Sequence, residues 1–155
     1  MLDWPANLKE EMMASVRDVA AYILQKEGGM SAMKLQKLVY YSQAWHLVWE
    51  DKELFPSRIE AWANGPVCVD LYDIHRRKFG VTAADFAPAA PLTDPKEVAA
   101  IDAVLKFYGE KSAMYLSDLT HRERPWAEAR GDLAPGMRST AEITQAAMAE
   151  YYGSL

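Results

Sequence analysis

Apolar residues recur at three-and-four spacing between Asn7 and Glu27, where Val16, Val19, Ala20, Ile23 and Leu24 share one helical face and Gly28-Gly29 supplies a stop. That spacing predicts a first helix over this span. Ser31 can cap a second, in which Leu35, Leu38, Val39, Ser42, Trp45, His46 and Trp49 form one stripe. Tyr40, Tyr41, Leu47 and Val48 fill much of its remaining circumference. A helix this apolar all round belongs at the centre of a fold, with Lys34, Lys37, Gln43 and Glu50 as its narrow wet edge.

After Asp51 the period changes. Ile59, Ala61 and Ala63 alternate with Glu60, Trp62 and Asn64, a short-strand signature, and a companion edge strand is expected around Leu54-Phe55. Pro66 suits a first helical position, and Val67, Leu71 and Ile74 continue a third helix towards Gly80. Residues 81–93 carry Pro88 and Pro91 without a period and read as a surface connection. Asp94-Pro95-Lys96-Glu97 opens a fourth helix with Val98, Ile101, Leu105 and Tyr108 as its buried stripe, ending near Gly109. Ser112 to Arg122 reads as a shorter helix that stops before Pro125, and Ser139 with Glu142 as a capping box for a last helix through Tyr152. The expected fold class is mainly α: a compact single domain over residues 1–155, of about six helices, with a small β-hairpin or edge strand between the second and third.

Composition narrows function by exclusion. The chain has 155 residues, 50% hydrophobic and 25% charged, with net charge −5, which sets aside disorder, a collagen-like repeat and a disulfide scaffold. Cys68 is the single cysteine, and the opening Met1-Leu2-Asp3-Trp4-Pro5 lacks the basic-then-apolar order of a signal peptide, so a cytoplasmic location is expected. Leu38 to Trp49, the longest stretch without formal charge, is interrupted by Ser42, Gln43 and His46, and no membrane span is expected. The acidic balance argues against broad nucleic-acid binding, which makes DNA an improbable partner.

Candidate chemistry is sparse. The histidines at 46, 75 and 121 have no partner at zinc-ligand spacing, so no metal or other cofactor is expected. His46 lies on an apolar stripe and reads as a core histidine, while His121 sits in a polar turn before Pro125-Trp126. Cys68 at a helix start with an approaching His121 would make a nucleophile, although a lone cysteine between Val67 and Val69 is more often a small buried hydrophobe. His75-Arg76-Arg77-Lys78 is the densest basic run, suited either to an anionic partner or to offsetting a helix dipole. Of the five tryptophans, Trp62 and Trp126 are the best candidates for partial exposure as interface anchors.

The run Ser31-Ala32-Met33-Lys34-Leu35-Gln36-Lys37-Leu38-Val39-Tyr40-Tyr41, then Trp45-His46, Leu54-Phe55, Ile59-Glu60-Ala61-Trp62, Asn64-Gly65-Pro66-Val67 and Leu71-Tyr72, resembles the Panacea antitoxin domain that includes the SocA-type antitoxins. Leu116 to His121 followed by Pro125-Trp126 is similar to the second motif of that family. The resemblance implies a bacterial or phage antitoxin that neutralises a cognate toxin protein by direct binding, and not an enzyme, so no catalytic residue is assigned. In the SocA branch it also implies a proteolytic adaptor that delivers the toxin to the ClpXP protease. Candidate contact residues, chosen as polar or aromatic groups beside these motifs, are Lys37, Tyr41, Arg58, Trp62, Asn64, Tyr72 and Trp126. The alternative from a different class is a small hydrolase using Cys68 or His121.

Overall fold

The computed structural model describes residues 13–155. Ser15 starts α1 (Val16–Glu27) through a capping box: its hydroxyl accepts from Asp18 N, and the Asp18 carboxylate accepts from Ser15 N. The helix predicted from Asn7 therefore begins only at Val16, and the part of that expectation over residues 7–12 lies outside the described residues. Met30–Ser31 forms β1, and the Ser31 hydroxyl then accepts from Lys34 N to cap α2 (Ala32–Glu50), as the sequence indicates.

The α2 helix is the hub, packed by α1, by α4 (Pro95–Tyr108), by α5 (Ala113–Arg122) and by α7 (Gln145–Gly153). Its expected wet edge is half wrong. Lys37 and Gln43 are fully buried, whereas Trp49, placed on the apolar stripe, is 47% exposed. Gln43 is buried because its amide does the work of a strand partner: Oε1 accepts from Leu54 N at 2.7 Å and Nε2 donates to Phe55 O at 2.7 Å. Leu54 and Phe55 are thus pinned in the core without forming the strand expected there.

The strand pair lies one step further on. Ile59–Trp62 (β2) pairs antiparallel with β3 (Gly65–Cys68), and β5 (Glu142–Ile143) adds to the other edge of β2. Pro66 is therefore in a strand and does not start a helix. It stands opposite Ala61, whose N–H points the other way, to Ala141 O, so the missing proline donor leaves no gap in the ladder. The third helix is shorter than expected, α3 (Val69–His75), because the chain turns at Arg76-Arg77 and runs into β4 (Gly80–Val81), which pairs with β1.

The connection at 81–93 is not wholly superficial: a 3-10 turn over Ala83–Phe86 sinks Phe86 against α1. Asp94 and Pro95 open α4 as expected, with Asp94 accepting from Lys96 N. The helix α5 stops at Arg122, before Pro125 as expected, and Pro125 then sits in the first turn of a further helix, α6 (Arg124–Arg130). Glu142 is drawn into β5 opposite Glu60, so the expected capping box at Ser139 does not form, and Thr144 caps α7 instead. The mainly α class with small antiparallel sheets holds, with seven α-helices among the described residues. None of those helices is long and apolar enough to cross a membrane.

Candidate functional site

Where β1, the start of α2, the β2–β3 turn and the end of α3 converge, the surface opens into a cavity of about 710 Å³. Its apolar lining comes from Met33, Trp62, Val67, Tyr72 and Phe79; its polar lining is dominated by Lys37, Arg76, Arg77, Lys78 and Arg138. Among the described residues no aspartate or glutamate lines it. In a chain of net charge −5, five cations gathered around one opening are a local inversion of the overall balance.

The fold supplies each of these groups for a local reason. Arg76 ends α3 and Arg77 takes a left-handed conformation (φ 72°), which turns the basic run away from the helix axis and onto the rim. Arg76 lies over the Tyr72 ring at 5.6 Å, and Tyr72 meets Trp62 edge-on with ring centres 5.0 Å apart. Lys78 pairs with Asp85, while Arg76, Arg77 and Arg138 have no carboxylate partner among the described residues. Phe79 projects almost fully into solvent at 89% exposure.

Lys37 borders the base of the cavity at 1% exposure. Its Nζ has neither a hydrogen bond nor an ion pair among the described residues, and burial alone pushes its pKa down to about 8. The aliphatic stem is threaded under Gly65. That residue has φ +123°, and a Cβ built there would lie 2.5 Å from Lys37 Cε. His121, stacked on Trp126 at 4.0 Å, is held below its ordinary pKa first by burial and next by the Lys37 charge. Its Nε2 is buried without a partner.

Other buried polar groups nearby are fully engaged. Gln36 brackets the start of α3: Oε1 accepts from Cys68 N and Nε2 donates to Cys68 O and towards His75 Nε2. On the far side of α2, Glu123 Oε1 accepts from Tyr41 OH at 2.6 Å and from Tyr152 OH at 2.9 Å, and Tyr152 OH also meets Tyr40 OH. Burial raises the Glu123 pKa, and the two hydroxyls partly offset that rise.

The structure sorts the contact candidates. Trp62 and Tyr72 are half-buried on the cavity wall, Asn64 is exposed beside them, and Arg58 is exposed just before β2, paired with Glu60. Tyr41 is wholly interior and stacks on Tyr108 at 4.1 Å, so it presents nothing to a partner. Lys37 is likewise no surface contact and is reachable only through the cavity. Trp126, expected to be partly exposed, is buried because its Nε1 donates to Trp62 O and Arg130 covers its ring. Of the remaining motif residues, Leu35, Leu38, Tyr40, His46, Gly65, Pro66, Val67 and Pro125 are buried, and Lys34 and Trp45 are half-buried. Lys34 Nζ donates to Gly109 O, and Trp45 Nε1 donates to Tyr108 OH.

Cys68 and His121 do not form a nucleophilic pair: the thiol is 2% exposed and burial pushes it up to about 11, far from a thiolate at neutral pH. Among the described residues no group of three or more His, Cys, Asp and Glu could hold a metal ion. Nothing in the sequence marks Phe79, Met33 and Arg138 as contacts. Phe79 is a lone apolar residue after a basic run, Met33 lies at the start of an apolar helix, and Arg138 reaches the cavity only because β5 folds back on β2.

No curated protein and no solved structure matches this chain. Residues 35–127 match the family described as Antitoxin SocA-like, Panacea domain, a span that contains α2 from Leu35 onward, the β2–β3 hairpin, α3 and the His121-to-Trp126 segment. The chain belongs to the SocA-like Panacea antitoxin family.

Proposed function

We propose that the protein is the antitoxin of a toxin–antitoxin pair, acting in the cytoplasm as one module that binds its cognate toxin and covers the toxin's working surface. The observation that carries this reading, beside family membership, is the cavity rim. Trp62, Tyr72 and Phe79 stand with Arg76, Arg77 and Arg138, which have no carboxylate partner among the described residues, on a framework of helices and strands. Aromatic and arginine side chains are the ones that commonly anchor protein interfaces, and little ordering cost is incurred when the framework is already set. A nanomolar complex needs about 12 kcal/mol of net binding, and a few such anchors usually supply most of it.

Co-expression with the product of the neighbouring reading frame tests this. The expected result is a co-purifying complex and restored growth; a neighbour equally lethal with and without the protein ends the reading. Cys68→Ala and His121→Ala are expected to protect fully, and loss of protection by either, with the fold retained, would instead favour a hydrolase. Delivery of the toxin to ClpXP is a separable step, supported by the resemblance to the SocA branch. Its readout is toxin half-life with ClpXP, which should shorten when the antitoxin is added.

A further inference from the structure

Lys37 is an anomaly that antitoxin activity in general does not require. A lysine at 1% exposure with no counter-ion and no hydrogen-bond acceptor among the described residues carries a large desolvation cost, and such groups are ordinarily replaced or paired. Here the fold goes further and shapes itself around the amine, with Gly65 in a conformation that leaves room for the stem. The other groups at the opening act with the same sign. Arg76 and Arg138 lack carboxylate partners among the described residues, and the positive end of the α2 dipole, at Ser31 to Met33, faces the same cavity. Around the cations lie Trp62, Tyr72 and Phe79, which a bare inorganic anion would not need.

We propose that this cavity is a receptor for a carboxylate side chain carried on an apolar or aromatic segment of the protein partner, with Lys37 Nζ as its buried counter-ion. Arg76 and Arg138 steer the acid inward, and the three aromatic residues pack the flanking side chains. The inference rests on the reading that the protein works by binding another protein, and it adds which chemistry that partner must present. It also explains the missing counter-ion, since the partner would bring it.

The test uses the full chain and needs no known toxin. Random peptides displayed on phage are selected on the immobilised protein, and the enriched sequences are synthesised. Aspartate or glutamate next to aromatic or aliphatic residues is expected among them. Lys37→Met should weaken their binding on the order of thirtyfold, as expected when one member of a buried charge pair is removed. Changing the peptide acid to its amide should give a similar loss. Arg76→Glu, at an exposed position that contacts the Tyr72 ring, should weaken binding independently of Lys37, with urea unfolding of the variant checked alongside. Peptides without acids, an absence of enrichment, or equal binding by wild type and a cooperatively folded Lys37→Met overturn the proposal. So does Lys37-dependent binding of inorganic phosphate with no binding of the acidic peptides, which would make the cavity a site for a free oxyanion. If the wild type fails to protect against its neighbour, the antitoxin reading falls while the peptide results still decide this one. If wild type and Lys37→Met protect and bind the toxin equally, the receptor alone falls.

Discussion

Lys37 and Glu123 are both buried around α2, and the protein treats them in opposite ways. Glu123 is met by the hydroxyls of Tyr41 and Tyr152, in a cluster of four tyrosines that includes Tyr40 and Tyr108. Lys37, on the cavity side, has no hydrogen-bond or ion-pair partner among the described residues. Both lose hydration on folding, but among the described residues only Glu123 recovers hydrogen bonds. The satisfied acid belongs to the architecture, joining α2 to α6 and α7, whereas the unsatisfied base destabilises the isolated protein and so needs a reason outside it.

Substitutions can break or sharpen that contrast. The largest effect is expected for Gly65→Ala. Its methyl group would meet Lys37 Cε, and its backbone would be forced to positive φ, together costing about 4 kcal/mol by urea unfolding. Pairing it with Lys37→Ala should recover the steric part, a coupling that a double-mutant cycle reads directly.

Lys37→Met comes next and has the opposite sign: it should stabilise the isolated protein by about 3 kcal/mol at pH 7. The sign follows from the shift. With the folded pKa near 8 and the unfolded value at 10.5, the unfolded chain binds more protons between those limits. Wild-type stability therefore carries a constant penalty below pH 8 and recovers as pH rises towards 10.5. The variant should lack this rise, and an equally steep pH dependence in both proteins would show that Lys37 is not the burdened group.

Tyr41→Phe should cost about 2 kcal/mol, because a carboxylate loses one of its two donors. The Glu123 pKa is already raised, so its favourable contribution is present at low pH and fades as pH rises through the folded value. The cost of Tyr41→Phe should accordingly be larger at pH 8 than at pH 5 in thermal unfolding. The smallest effect is expected for Arg58→Ala. Arg58, exposed just before β2, bridges Glu60 and Glu142 on neighbouring strands, outside both buried environments, and its loss should change stability by less than about 1 kcal/mol.

How much of this was legible in the sequence depended on the range of the interactions. Ser31 and Asp94 announced their helices because a cap is settled within one turn. Ser139 and Glu142 made the same local signal and were overruled, because Glu142 finds Glu60 across the sheet. Pro66 was read as a helix start for want of knowing that its strand neighbour, Ala61, turns its donor elsewhere. The polar edge of α2 failed for a related reason. Gln43 and Lys37 look alike in a periodicity plot as hydrophilic interruptions, yet one is buried to brace a loop and the other to face a cavity. The basic run at 75–78 was visible, but its convergence with Lys37 and Arg138 needed the three-dimensional turn at Arg77.

The joining of β5 to β2, Ile143 beside Ile59, also sets a timetable. On the ribosome, the helix bearing Lys37 and the hairpin bearing Trp62 emerge before the wall that carries Arg138 and Thr140. A nascent chain therefore displays an unfinished cleft until the later segment closes it.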